Sequence, residues 1–150
     1  DSTDKSTHAG KINFGVIRYA DVLLSYVEAL VESGDWQNPD VAKYINQIRN
    51  RAGMPNYDPA EYNTQDMMRQ LYRRERMVEL AFEGWRYWDI KRWNIGAQVL
   101  NGPVQGAINP ATGQPVVAET RTFSANQNYL FPIPLAEMEA NTAMTQNTGL

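Results

Sequence analysis

From Asn63 to Trp93 the chain carries the feature that most constrains its fold, an apolar stripe that runs into a glycine hemmed in by aromatic bulk. Met68, Leu71, Tyr72, Val78 and Phe82 recur at helical spacing, with a polar interruption at Glu75. This predicts a long helix over about Thr64 to Phe82, capped by Asn63 or Thr64. Gly84 then stands between Glu83 and Trp85, where a helix tolerates glycine poorly, so a kink or restart is expected there. The run Glu75 to Trp93 holds three of the four tryptophans, so the aromatic end turns a corner that the remaining chain must pack around. Trp85, Trp88 and Trp93 at helical spacing read as core rather than as a stacking surface, and Phe82 and Trp88 are expected to be largely buried.

Upstream, a helix is predicted from about Val16 to Glu32. Tyr19, Val22, Leu23, Tyr26 and Leu30 form one stripe, and Ala20, Leu24, Val27 and Val31 a second beside it. A helix apolar on two stripes must be buried on two sides. Ser33-Gly34-Asp35 supplies the stop, Asn38-Pro39 the next cap and first turn, and Val41, Ile45, Ile48 and Ala52 the stripe of a second helix that ends at Gly53 and Pro55. The two make a hairpin of roughly 34 residues that looks like a tetratricopeptide unit. A single such unit cannot bury its own faces, and the third long helix is its available partner. Because one unit falls short of what a stable stack needs, an apolar face is expected to remain, with Ala20, Leu24, Val27 and Val31 its predicted location. The chain is therefore expected to self-associate or to pair with further sequence of its parent. Tyr57 and Tyr62, in the connector Met54 to Tyr62, are read as plugs of a helix seam.

Beyond Gly96 the helical period breaks. Asn109 to Gly113 is a turn between two short extended runs, Val104 to Ile108 and Val116 to Thr122, which suggests a small hairpin. Tyr129 to Pro134 is an extended apolar clamp, Leu135 to Ala140 a short helix, and the Asn/Thr/Gln tail, with no core residues beyond Met144 and Leu150, is expected to lie along the surface. The predicted class is mainly α, with an irregular or short β-hairpin region and an extended C-terminal tail. The segments are 1–15 as lead-in, 16–95 as helical scaffold, and 96–150 as loop, hairpin and tail.

Zero cysteines exclude disulfides, zinc-thiolate sites and thiol nucleophiles. The net charge of −3 argues against a general nucleic-acid or anionic-membrane binder, although Arg69 to Trp93 holds seven basic against four acidic residues. No apolar run approaches the length of a membrane span. His8, the sole histidine, lies in a polar segment and is read as solvated. No HExxH, calcium-loop, Walker, GxGxxG or GxSxG pattern occurs, so no metal or cofactor is expected. Glu75, Glu79 and Glu83 recur every four residues and could supply a glycosidase pair. A stripe on one helix cannot face itself across a cleft, and with Arg76, Arg86 and Arg92 nearby it reads instead as an ion-pair network that sets helix register. No catalytic residue is assigned.

Three segments in order carry a resemblance. ERMVELAFEGWRYWDIKRW (Glu75 to Trp93), RYADVLLSYVEALVESG (Arg18 to Gly34) and LFPIPLAEMEANTAMTQNTGL (Leu130 to Leu150) resemble motifs of the SusD/RagB family. Thr142 and Thr148 stand where that family usually has proline, and Leu150 where it has tyrosine. The resemblance implies the C-terminal part of a lipid-anchored, surface-exposed outer-membrane protein of Bacteroidetes. Such a protein binds glycans and passes them to a SusC-like TonB-dependent transporter. It is not an enzyme, and its glycan contacts come mostly from sequence upstream, so no glycan-binding residue is assigned to this chain. A glycan-processing enzyme using a glutamate pair, or a helical-repeat adaptor without a sugar ligand, are the alternatives.

Overall fold

The computed structural model describes residues 16–149; the lead-in and His8 lie outside them. The chain is mainly helical and falls into two compact units that part between Glu83 and Gly84.

In the first unit, α1 (Tyr19–Glu32), α2 (Pro39–Arg51) and α3 (Gln65–Glu79) pack with α1 against both of the others. Several of their ends have a local cause. Thr64 accepts from the Met67 amide to cap α3, and Asn38 caps α2 by accepting from the Asp40 amide at 3.0 Å. At the end of α1, Gly34 takes φ +93°, its amide reaching the Val31 carbonyl and the Asp35 amide reaching Leu30. Gly53 repeats that closure after α2. The core is Leu23, Leu24, Val27 and Val31 of α1 on Val41, Ile45 and Ile48 of α2 and Met68, Leu71 and Tyr72 of α3.

Burial corrects the expectation about the free face of α1. Leu24, Val27 and Val31 are fully buried, because α2 and α3 together cover that stripe, whereas Tyr19, Val22 and Tyr26 of the neighbouring stripe are 66%, 52% and 43% exposed. Tyr57 and Tyr62 are half-buried and meet edge to face at 5.9 Å.

The third helix ends at Glu79, earlier than its stripe suggests. Phe82 adopts a left-handed φ of +64° and Gly84 one of +82°, so two left-handed residues interrupt the helix before α4 (Trp85–Arg92). The expected restart at Gly84 is present, but the expected burial is not. Phe82 is fully exposed, since its side chain leaves from the turn rather than from the buried face of α3, and Trp88 is 55% exposed. In α4 it is Asp89 and Ile90 that are buried. At about 100° per residue, Trp88 lies well round the helix from both.

The second unit continues with α5 (Gly96–Val99), an antiparallel pair β1 (Gly102–Ile108) and β2 (Pro115–Arg121), α6 (Ala125–Asn128) and α7 (Leu135–Ala140). Asn94, left-handed at φ +55°, closes α4 as glycine closes α1. The hairpin register runs from Gly102 opposite Arg121 to Ile108 opposite Pro115, with irregularities after Val104 and Gln105. Its turn is held by the Gly113 amide donating to the Asn109 carbonyl and the Asn109 amide to the Gln114 carbonyl, each at 2.8 Å. The tail does more than lie on the surface. The Gln146 side-chain amide accepts from the Ile133 amide at 2.9 Å and donates to its carbonyl at 3.1 Å, while Asn147 donates to the Phe131 carbonyl at 2.6 Å. These contacts satisfy the backbone of a segment whose prolines cannot donate.

Candidate functional site

The glutamate stripe is an ion-pair lattice. Glu75 accepts from Arg49 at 2.5 Å, Glu79 from Arg18 at 2.9 Å and Arg51 at 2.5 Å, and Glu83 from Arg18 at 2.6 and 2.9 Å. Its short contacts come from arginines of the residue preceding α1 and the last turn of α2, and Arg74 of the same stretch adds a longer one to Glu75 at 3.9 Å. Arg76 turns the other way, buried on Asp21 of α1 at 2.6 Å, and Arg92 pairs with Asp89 within α4. Hydrogen bonding to the Arg18 guanidinium pulls the Glu83 carboxyl below its usual range and drives Arg18 further up. A general acid needs the opposite shift. On the adjoining face Glu32 accepts from Arg69 at 2.8 Å and from the Tyr72 hydroxyl at 2.7 Å. Arg69 holds Glu32 below its ordinary value, while burial and that hydrogen bond push Tyr72 up. The lattice binds three helices into one register. Among the described residues no group of three or more His, Cys, Asp or Glu side chains could hold a metal, and no helix is long and apolar enough to cross a membrane.

A different chemistry collects in the second unit. Tyr87 and Trp88 of α4 meet edge to face at 5.1 Å, and Phe131 lies 6.5 Å from Tyr87 and 6.3 Å from Trp88. All three rings are about half exposed. The Lys91 ammonium sits 4.0 Å from the Phe131 ring centre and 4.9 Å from that of Tyr87, a cation–π placement. One turn of α4 thus supplies two rings and a cation, and the tail amide of Asn147 fixes the segment that supplies the third ring. Tyr87 and Lys91 also line a cavity of about 580 Å3, with Arg86 and Arg121 as its other cations and Thr122 and Asn128 as neutral polar groups. Phe123 forms a wall. Its ring crosses the α-carbon of Gly96 so closely that a β-carbon there would fall within 2.4 Å, and Tyr129 holds it edge to face at 4.8 Å. No acidic side chain lines the cavity among the described residues, although Arg121 is paired with Glu119 outside it.

Helical spacing reads the tryptophans as core. It could not bring Phe131, 43 residues downstream of Trp88, to the same surface. The density of rings and cations between Tyr87 and Lys91 was the only signal.

The SusD family model matches residues 1–149. SusD-like protein P2 of Formosa agariphila is 37% identical over 140 residues, covering 90% of this chain and 25% of the relative. SusD-like protein P38 of the same organism is 35% identical over 100 residues, covering 63% of this chain and 19% of the relative. The chain therefore spans about a quarter or less of the length of these curated relatives. Among solved structures, BT4246 superposes over 89% of this chain and 23% of its own, with a TM-score of 0.76 at 24% identity, a likeness of fold. A SusD superfamily protein from Parabacteroides distasonis matches 92% of this chain and 27% of its own, with a TM-score of 0.61 at 28% identity. With the three motifs, the helical hairpin and third helix, and a family model matched over nearly every residue, the chain belongs to the SusD family.

Proposed function

We propose that this chain is the C-terminal segment of a surface-exposed, lipid-anchored glycan-binding protein of the outer membrane. Its parent captures oligosaccharides or polysaccharides and delivers them to a partner SusC-like TonB-dependent transporter. The observation that carries the reading is family membership over residues 1–149, and the relatives' origin in Formosa agrees with it. The ion-pair lattice supports a non-catalytic role. Glu75, Glu79 and Glu83 are each committed to arginine, and Glu83 is pulled below its usual range, the opposite of what the proton donor of glycoside hydrolysis requires.

The test is affinity electrophoresis of the full-length parent against a panel of polysaccharides, paired with an assay for released reducing ends. Retardation by at least one glycan without turnover is expected. Turnover lost on Glu79→Gln would instead establish the glycan-processing alternative, and no retardation on any polysaccharide would leave a helical adaptor.

A further inference from the structure

Resting on the glycan-binding reading above, we propose that the α4 platform and its adjoining cavity form a subsite for an anionic sugar residue, one bearing a carboxylate or a sulfate ester. Two requirements of such a ligand are met by neighbouring groups. A pyranose ring presents a face of C–H groups that aromatic rings cover, and Tyr87, Trp88 and Phe131 offer three such rings in contact, each about half exposed. An anionic substituent needs a cation beside that face. Lys91 stands over two of the three rings and also lines the cavity, so one ammonium serves both parts of the site.

Charge then selects among glycans. The chain as a whole carries a net charge of −3, yet among the described residues no carboxylate lines this cavity, and with Arg121 already paired to Glu119 it is Lys91 that offers its charge to a ligand. Thr122 and Asn128 add hydroxyl and amide groups suited to sugar hydroxyls. The volume of about 580 Å3 falls within the roughly 300–1,000 Å3 of small-molecule clefts. A neutral sugar would use the rings alone; an acidic one would also engage the Lys91 ammonium.

The experiment compares matched polymers on the full-length parent. Polygalacturonate is set against its carboxyl-reduced form, dextran sulfate against dextran, and an oligothymidylate is the non-sugar polyanion. Expected is binding to polygalacturonate or dextran sulfate about tenfold or more tighter than to the neutral counterpart, weakened as salt screens the contact. The polymer that binds tells carboxylate from sulfate. Lys91→Gln should remove most of that preference and Lys91→Arg restore it, while Trp88→Ala should weaken charged and neutral forms alike, all with unchanged circular dichroism. Equal binding of charged and neutral forms would overturn the anionic assignment and leave the glycan-binding reading standing. Anionic preference untouched by both Lys91→Gln and Trp88→Ala would overturn the location. Tighter binding of the oligothymidylate than of any polysaccharide, lost in Lys91→Gln, would overturn the ligand class. Failure to bind any polysaccharide would overturn this proposal together with the reading it rests on.

Discussion

Arg76 and Asp21 make a buried ion pair, the arginine 3% exposed and the contact 2.6 Å. Removing the buried guanidinium takes the counter-charge from Asp21, so Arg76→Ala is expected to destabilise by about 3–5 kcal/mol, read as a lower denaturant midpoint. Phe82 behaves in the opposite way. Its left-handed φ costs about 1–2 kcal/mol that glycine would not incur, and a fully exposed ring returns little. Glycine also loosens the unfolded chain, so Phe82→Gly should change stability by no more than about 1 kcal/mol. Trp88→Ala should cost about 1–2 kcal/mol, short of the about 3–5 kcal/mol for a buried aromatic. A loss above that range would place the ring in a core. Glu32 and Glu83 set a pH dependence. Arginine hydrogen bonds lower both from an ordinary 4.5, so the stability they contribute is present above that value and is lost as pH falls through the lower folded-state values. Urea midpoints should therefore drop below about pH 4.5, and Glu32→Gln should flatten the slope.

At the scale of elements, the helices of the first unit follow local signals that operate within a few residues. Asn38→Ala is expected to cost about 1 kcal/mol through loss of the α2 cap, measurable by thermal melting. The same locality explains why Thr64, Gly34, Gly53 and Gly84 were legible as boundaries while the end of α3 was not. Apolar spacing carries the stripe on to Phe82, but the chain leaves the helix after Glu79, and Arg18 reaches both Glu79 and Glu83 across that turn. In the second unit, the tail was legible as extended, but its work was not. Gln146 and Asn147 recognise backbone groups of Phe131 and Ile133 through side-chain amides, and no hydrophobic period encodes that.

For the whole molecule, the exposed stripe of α1 is the surface expected to associate. Tyr19, Val22 and Tyr26 lie together on one helix face, and such a contiguous apolar surface normally finds a partner. The isolated chain is expected to self-associate or to bind the rest of its parent, with Val22→Lys moving it towards monomer in sedimentation velocity. A wild-type chain that sediments as a compact monomer would show that this face needs no cover. That the free stripe is the tyrosine-bearing one, rather than Leu24, Val27 and Val31, was beyond periodicity. Two adjacent apolar stripes look alike in one dimension, and only the seating of α2 and α3 chooses between them.

By itself the sequence determined the mainly α class, the hairpin and third helix, the restart at Gly84, the short β-pair and the family, because caps, breakers, apolar periods and motifs act over short distances along the chain. Tertiary structure decided which arginine neutralises which glutamate, that Trp88 and Phe82 are exposed, and that Phe131 joins Tyr87 and Lys91 on one surface. Those outcomes depend on distances between residues far apart in sequence, which are set only once the helices have packed.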